Sequence, residues 1–182
     1  REKIVRATMA LHLQQGVATT SYSDVAALAG VGAATVYRHF PSMGLLVDAC
    51  GAHIWHMIDP PGHERAGIFS GMTSQTERLE ALVQELETFF SRGTAALLSA
   101  MRDGERVPEL ALFLNKIRHG LLALTAEALK QSPKTQLVVA VAAVSDFKLW
   151  LSLSEAGFGP EKRKKLMLKS IEAAIAHEKQ TT

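Results

Sequence analysis

Polar side chains suited to nucleic-acid recognition are concentrated in one short stretch, residues 33–39. Arg38 is the only residue of this stretch that can donate two hydrogen bonds to a guanine edge. Thr35 lies one helical turn earlier, so the two side chains would face the same groove. Tyr37 and His39 offer a hydroxyl and an imidazole, which suit phosphate oxygens. The pattern predicts that Thr35 and Arg38 face the bases and that Tyr37 and His39 brace on the backbone.

Ser21 offers a further phosphate contact, because a hydroxyl at a helix N-terminus lies beside free backbone N–H groups. The alternative for the longer side chains is structural. In that interpretation Tyr37 mainly packs its ring, and Arg38 only solvates the surface. Both interpretations require a short exposed helix that neighbouring elements hold in place.

The residues before this stretch predict a short helix over 22–29. Ser21 and Asp24 have the spacing of a capping box, in which each residue binds the backbone N–H of the other. Gly30 should end the helix, because glycine adopts the left-handed conformation without strain. A tight turn would then lead into the polar stretch.

The polar stretch itself predicts a second short helix over 33–39. Val36 and Phe40 are spaced i, i+4 and should face inward, which leaves the polar residues outside. Ser42 should cap a further helix that ends near Ile58. Together the two short helices form a helix-turn-helix.

Three stretches of this segment resemble the TetR family of transcriptional repressors, in order and spacing. They are Ile4 to Gly16, then Val25-Ala26 with Ala29-Gly30-Val31, and finally Thr35 to Ser42. The resemblance covers residues 4–47. It implies an all-helical homodimer that binds a double-stranded DNA operator and releases it when a small molecule binds the C-terminal half.

The sequence departs from the family pattern at three places. Gly32-Ala33 stand where the family has a serine and a polar residue. Met43-Gly44 stand where a lysine and an acidic residue are usual, and that lysine commonly contacts a DNA phosphate. His12 stands where a core phenylalanine is usual, and we expect it to be a buried histidine with satisfied hydrogen bonds.

Composition and charge limit which other classes of protein the sequence can represent. The net charge is only +2, and residues 1–58 hold four Lys/Arg against three acids, a weak footprint for a DNA-binding domain. The chain opens inside a predicted helix without a methionine, which leaves room for a basic arm before residue 1.

Cys50 is the only cysteine and fits a reducing cytosol. The apolar run 137–144 is too short for a membrane span. We therefore expect a cytoplasmic protein without a membrane partner.

The C-terminal half predicts further helices and an all-α fold. Their ranges are 75–92, opened by a capping box at Ser74, then 94–103, 108–131, 133–156 and a last helix opened by Pro160. The predicted division is a helix-turn-helix DNA-binding domain over 1–47 and a helical effector-binding and dimerisation domain over 48–182. The basic run 162–165 is interpreted as a solvated face, with a second DNA contact as the alternative.

Two groups of residues carry the remaining expectations. A mainly hydrophobic effector cavity is expected between the helices 75–92, 94–103 and 108–131, with candidate lining residues Phe89, Met101, Phe113 and Ile117. Homodimerisation is expected through residues 133–178, with candidate interface residues Val139, Ala143, Phe147, Trp150, Ile171 and Ile175.

Metal binding and catalysis have little support in the sequence. His53 and His56 have a metal-compatible spacing and His63 follows, but no firm set of further ligands joins them. No phosphate loop, Ser/His/Asp motif or tight acidic cluster is present, so neither an enzyme nor a cofactor is predicted. The main prediction is a DNA-binding, ligand-responsive repressor. The alternative is a small-molecule-binding or protein-interaction module with weak or lost DNA binding.

Overall fold

The computed structural model describes residues 1–61 and 67–181, and within those ranges it is helical without a strand. The described helices are α1 Glu2–Gln15, α2 Tyr22–Ala29, α3 Ala33–His39, α4 Met43–Ile58, α5 Gln75–Asp103, α6 Pro108–Leu129, α7 Gln136–Ala143, α8 Phe147–Glu155 and α9 Pro160–Thr181. The predicted all-α fold class is confirmed.

The chain divides into two compact units. Unit 1 comprises Arg1–Asp59 and Gly93–Ile117, and unit 2 comprises Pro60–Arg92 and Arg118–Thr182. Helices α5 and α6 each supply residues to both units. The predicted domains 1–47 and 48–182 divide the chain by function and stay a prediction.

Unit 1 has an apolar core built from its first four helices. One face of α1 meets the inner faces of α2 and α3 and the start of α4, and the buried members are Ile4, Ala7, Leu11, Val25, Ala26, Ala29, Val36, Phe40 and Leu46. Burying these side chains is the main force that holds two helices as short as α2 and α3 in place, since isolated helices of that length are marginal. The bounds predicted for α2, α3 and α4 are confirmed.

Unit 2 has an aromatic core. The ring of Phe90 lies between those of Phe89 and Phe147, with centroids 5.4 Å away in each case, and Phe147 stacks on Trp150 at 5.7 Å. Apolar residues of α5 and α9 complete the core, among them Leu79, Leu82, Leu86, Met167, Ile171 and Ile175. The capping box predicted at Ser74 is confirmed: Ser74 N–H donates to Glu77, and Glu77 N–H donates to the Ser74 hydroxyl.

The predicted break at Gly93 is wrong, because α5 runs without interruption from Gln75 to Asp103. A glycine inside a helix costs about 1 kcal/mol but does not end it unless its backbone turns left-handed. A Cβ at Gly93 would lie 3.5 Å from Leu97 and 3.7 Å from Ile58. The last residue of α4 therefore packs against this part of α5.

The predicted single helix over 133–156 is also wrong, because it is divided into α7 and α8. The Ser145 hydroxyl donates to the Val141 carbonyl at 2.6 Å, and the Asp146 carboxylate accepts the Leu149 N–H at 3.1 Å, which caps α8. By length and apolar composition alone, Gln136–Glu155 could be a membrane span. That likeness is weak, because the polar break interrupts the run of about 20 residues that a span requires.

Candidate nucleic-acid interface

The two ends of α2 set the angle of the helix-turn-helix. Asp24 N–H donates to the Ser21 hydroxyl at 3.2 Å, and Ser21 N–H donates to the Asp24 carboxylate at 2.9 Å, so the predicted capping box is confirmed. Gly30 adopts the predicted left-handed conformation, with φ 61° and ψ 45°. Its N–H donates to the carbonyl groups of the last turn, which ends α2 and turns the chain toward α3.

The outer surface of α3 carries the predicted DNA-binding side chains. Val36 is buried in the core, while Tyr37 is 60% exposed and both Arg38 and His39 are exposed. Thr35 is half-buried, so it presents less of its side chain than the pattern predicted. Arg38 has no ion-pair partner among the residues that the structure describes, which leaves its guanidinium available to an external acceptor.

Tyr22 supports this surface and was missed by the sequence analysis. Its hydroxyl donates to the Phe40 carbonyl at 2.7 Å, which ties the start of α2 to the end of α3. Its ring centroid lies 5.8 Å from that of Tyr37, at 57°. Burial of the ring raises the pKa of Tyr22, and the neighbouring Tyr37 adds to the shift. Tyr37 therefore packs against Tyr22 while most of its surface stays exposed, so packing and DNA contact are compatible for this residue.

Ser21 is less free than predicted. Its hydroxyl donates to the Asp24 carboxylate at 2.7 Å. Hydrogen bonds from the Ser21 side chain and backbone hold the pKa of Asp24 below its ordinary value, so this carboxylate is charged at neutral pH. A phosphate approaching Ser21 would meet a negative charge on the neighbouring turn.

The charge around the interface is balanced. Unit 1 contains seven Lys/Arg and seven Asp/Glu residues. Some of its cations already have partners: Arg6 pairs with Glu2, and the Arg1 guanidinium lies 5.2 Å from the centroid of the Phe40 ring. A DNA complex of this unit would rest on few phosphate contacts, so its affinity should depend only moderately on salt.

The start of α4 adds one more group to this region. Ser42 caps α4 by accepting the Leu45 N–H at 3.2 Å. The Glu109 carboxylate lies against Gly44, and a Cβ at residue 44 would overlap its Oε1 atom and lie 3.1 Å from its Cδ atom. A carboxylate therefore lies beside Met43-Gly44, where the family pattern places a phosphate-binding lysine.

Comparison with known proteins agrees with this geometry. Residues 4–50 match the family model of bacterial regulatory proteins, tetR family. This segment belongs to the TetR family. No curated protein matches the chain.

Solved structures extend the likeness beyond the TetR-family segment. The flavonoid-responsive regulator FrrA is 21% identical, with a TM-score of 0.64 over 97% of this chain and 93% of its own. A TetR transcriptional regulator from Rhodococcus sp. RHA1 is 19% identical, with a TM-score of 0.54 over 95% and 93%. The multidrug binding protein EbrR, solved with imidazole, is 20% identical, with a TM-score of 0.58 over 94% and 89%. The chain has the fold of TetR-family transcriptional regulators.

His12, at the position of the family's core phenylalanine, differs from its prediction in one respect. It is buried, with 4% of its surface exposed, but its Nε2 atom has no hydrogen-bond partner among the described residues. Burial lowers the pKa of His12 from 6.5 to about 4, although the nearby Asp103 opposes the shift. His12 is therefore neutral at pH 7, and the expectation of a satisfied histidine is wrong.

The four candidate effector residues lie in different units. Phe89 is buried in unit 2, whereas Met101, Phe113 and Ile117 belong to unit 1. Phe113 meets the edge of Trp55 at 5.8 Å, and the ring of Trp55 also carries the Lys116 ammonium at 3.8 Å. The shared effector cavity stays a prediction.

Unit 2 has an open groove of about 790 Å³ between α5 and α9. Most of its wall surface is apolar, with Met72 and Leu168 among the apolar members, and the polar side chains that line it include Glu77, Glu80, Gln84 and Lys164. None of the four candidate effector residues lines this groove.

The candidate dimer residues fall into two groups. Phe147, Trp150, Ile171 and Ile175 are buried inside unit 2, whereas Val139 is 47% exposed and Ala143 is exposed. Buried side chains contribute to the core of their own protomer, so only Val139 and Ala143 of this set can meet a second subunit directly. The sequence pattern missed this because α8 packs against Phe90 of α5, and α9 packs against α7 and α8.

Arg163 corrects the interpretation of the basic run 162–165. It is buried and pairs with Glu87 through two guanidinium nitrogens, and its third nitrogen donates to the Phe158 carbonyl at 2.7 Å. The Trp150 indole N–H also donates to Glu87, at 2.7 Å. Burial raises the pKa of Glu87, but the hydrogen bonds from Arg163, Trp150 and Ser91 outweigh it and leave the pKa below its ordinary value. Arg163 is therefore a core residue and not part of a solvated face.

The candidate metal ligands His53 and His56 and the single cysteine, Cys50, lie on α4. His53 and His56 are exposed on α4, and His63 lies outside the described residues. In the ranges 1–61 and 67–181, no group of three His, Cys, Asp or Glu residues could hold a metal ion. Cys50 is buried, which raises the pKa of its thiol to about 12 and makes it a poor nucleophile.

Proposed function

We propose that the protein is a DNA-binding transcriptional repressor that binds a palindromic operator as a homodimer. The observation that carries this proposal is the surface of α3, where Tyr37, Arg38 and His39 are exposed while Val36 holds the opposite face in the core. A helix supported in this way can enter the major groove with its polar side chains toward the DNA.

Each side chain of this surface has a chemically distinct role in the proposal. Arg38 reads a guanine through two hydrogen bonds, and Thr35 faces the same groove. Tyr37 and His39 contact phosphates and set the position of α3 on the duplex. Ser21 adds at most a weak phosphate contact, because its hydroxyl is bound to the Asp24 carboxylate. The unpaired guanidinium of Arg38 favours this division, since it needs no rearrangement to meet a base.

Release of DNA by a small molecule is the second part of the proposal. FrrA is described as flavonoid-responsive, and EbrR as a multidrug binding protein that was solved with imidazole. For this chain we propose a small, mainly hydrophobic effector with Phe89, Met101, Phe113 and Ile117 as candidate contacts. An effector that prefers the DNA-incompetent conformation weakens DNA binding by the same factor as DNA weakens effector binding.

The homodimer part rests on the exposed apolar surface of α7. Ala143→Glu would place a charge on this surface twice in a two-fold interface and should give a monomer. Ala10→Glu, at an exposed position of α1, is the matched control and should leave the mass unchanged. Light scattering at micromolar concentration decides the point, and a monomeric wild-type protein would contradict the dimer.

The experiment for DNA binding is selection from a random duplex pool, followed by titration of the selected duplex against salt. The proposal expects an enriched palindrome and an affinity that falls with salt concentration. Failure to enrich any sequence would instead favour the alternative, a small-molecule-binding or protein-interaction module. The balanced charge of unit 1 is the observation that keeps this alternative open.

The proposal gives the protein no catalytic role and requires no cofactor. A regulator of this kind acts where the DNA is, so the proposed location is the cytoplasm. In this proposal the protein acts on transcription only by binding the operator and releasing it.

A further inference from the structure

The last turn of α5 holds the connection between α1 and α2. The Asp103 carboxylate accepts the Val17 N–H at 2.7 Å and the Ala18 N–H at 3.4 Å through one oxygen, Oδ2. Asp103 is 6% exposed. A buried carboxylate that accepts backbone N–H groups forms stronger hydrogen bonds than a neutral acceptor does. The start of the connection is therefore fixed by a residue 86 positions away.

Two further side chains of the same turn hold the end of α1. The Ser99 hydroxyl donates to the His12 carbonyl at 3.2 Å, and an Arg102 guanidinium nitrogen donates to it at 3.3 Å. Gly16 N–H donates to this carbonyl as well, at 3.1 Å. The His12 carbonyl, in the last turn of α1, thus accepts hydrogen bonds both from the residue that ends its own helix and from α5.

Gly16 is required where these contacts meet. Its φ is 102°, in the region that favours glycine. A Cβ at this position would lie 2.9 Å from both the Asp103 carboxylate and the Arg102 guanidinium. The close approach of α5 to the backbone depends on the missing side chain.

The held connection leads directly into the DNA-binding elements. The Thr20 hydroxyl donates to the Gly16 carbonyl at 2.7 Å, which makes residues 16–20 a compact bonded turn. The next residue, Ser21, is the N-cap of α2. A displacement of Val17 and Ala18 would therefore move the start of α2, and with it the frame that carries α3.

We propose that Ser99, Arg102 and Asp103 form an α5 clamp that positions the helix-turn-helix for DNA, with Asp103 as the principal positioning residue. The clamp transmits the position of α5 to α2 and α3. This inference rests on the proposed DNA binding, because it assigns to these residues the control of that activity. None of the three contacts DNA in this account.

The test compares Asp103→Ala and Asp103→Asn with wild type on the selected operator, at a temperature where circular dichroism shows all proteins folded. Asp103→Ala removes the acceptor and should lower operator affinity at least about ten-fold. Asp103→Asn keeps one neutral acceptor and should fall between Ala and wild type. Glu77→Ala is the matched control, because it removes a carboxylate that accepts the Ser74 N–H at the other end of α5, in unit 2, and should leave operator affinity unchanged.

Amide hydrogen exchange supplies a second readout that does not require DNA. In both Asp103 variants the amides of Val17, Ala18 and α2 should exchange faster than in wild type, by at least about ten-fold for Asp103→Ala, and Glu77→Ala should not change them. If Asp103→Ala does not fold, the affinity and amide exchange of Asp103→Asn, compared with wild type, are the test of the clamp. Wild-type affinity and exchange in the folded Asp103 variants would overturn the clamp, as would an equal loss of affinity in Glu77→Ala. If wild type binds no DNA, the proposed function fails, and the exchange rates alone support or overturn the clamp.

Discussion

The two units bury acidic side chains to the same depth but give them different partners. In unit 1, Asp103 binds backbone N–H groups of the α1–α2 connection. In unit 2, Glu87 is 5% exposed and binds the side chains of Arg163 and Trp150. The first arrangement fixes one segment of backbone, whereas the second fixes which faces of α5, α8 and α9 meet.

The two arrangements differ in how many ions are taken out of water, and therefore in what the loss of one side chain costs. A carboxylate bound to backbone N–H groups takes one ion out of water, and these hydrogen bonds offset part of its desolvation cost. The Arg102 guanidinium, 3.6 Å from Asp103, stays half exposed. A carboxylate paired with an arginine takes two ions out of water, and the loss of either one leaves the other uncompensated. Single substitutions should therefore be most damaging in unit 2, and smaller, more local effects should be found in unit 1.

The largest effect is expected for Arg163→Met, which leaves Glu87 buried without its ion-pair partner. We expect a loss of about 3–5 kcal/mol in the free energy of unfolding, measured by urea denaturation. Lys165→Met, at an exposed position of the same helix, should cost less than about 0.5 kcal/mol. The double variant Glu87→Leu/Arg163→Met should recover most of the loss. Equal destabilisation by the single and double variants would show that the ion pair is not the cause.

His12 should produce the next largest effect, through its pH dependence. Its pKa is about 4 in the folded protein and about 6.5 when unfolded, so the unfolded chain binds more protons between these values. His12 should therefore cost the protein about 3 kcal/mol of stability as the pH falls from above 6.5 to about 4.

His12→Phe provides the measurement for that pH effect. The variant should be more stable than wild type at pH 7.5, because it removes a buried nitrogen without a partner, and its advantage should grow as the pH falls. Comparing the two proteins at each pH cancels the titration of the carboxylates. A stability difference that is the same at pH 7.5 and pH 4.5 would contradict the assignment.

Glu109→Gln should alter binding more than folding. The carboxylate of Glu109 lies beside Gly44 in the first turn of α4, five residues after the end of α3, where it would repel a phosphate. Neutralising it should raise operator affinity a few-fold at low salt, and the gain should shrink as the salt concentration rises. Glu105→Gln, an exposed acid on the preceding turn, is the matched control. If both variants raise the affinity equally, the effect is one of net charge and not of position.

Gly32→Ser should have the smallest effect. Gly32 is the N-cap of α3 and provides no side-chain hydrogen bond, and a Cβ at this position would meet no atom within 4 Å. A serine should cap α3 and raise stability by a few tenths of a kcal/mol, or about 1 °C in Tm. Gly30→Ala should act in the opposite direction, because its φ of 61° strains any other residue. A serine that lowers Tm would contradict the cap.

The helix-turn-helix could be predicted in detail because its signals are local. Ser21, Asp24 and Gly30 lie within ten residues, and each acts on backbone groups a few positions away. Signals of the same kind lie at Ser145 and Asp146, but the apolar residues on both sides continue a helical pattern and conceal the break. At Gly93 the local signal was misleading, since packing against Ile58 sustains the helix.

The contacts that position the site could not be predicted in this way. Asp103 and Val17 are 86 residues apart, and Glu87 and Arg163 are 76 residues apart. No periodicity links such pairs, because they depend on how helices pack and not on how each one forms. For the same reason the sequence predicts a solvated Arg163, and an interface role for the buried Phe147 and Trp150.

The most direct test of the central claim, that α3 reads DNA, is the base preference of Arg38→Ala. Its affinity and that of Tyr37→Phe would be measured on the selected operator and on every single-base variant of it. Arg38→Ala should lose about 1–3 kcal/mol of discrimination at one base pair in each half-site, whereas Tyr37→Phe should weaken all sequences by a similar factor. If Arg38→Ala weakens every sequence equally and leaves the base preference intact, Arg38 is a phosphate contact, and this account of the interface is contradicted.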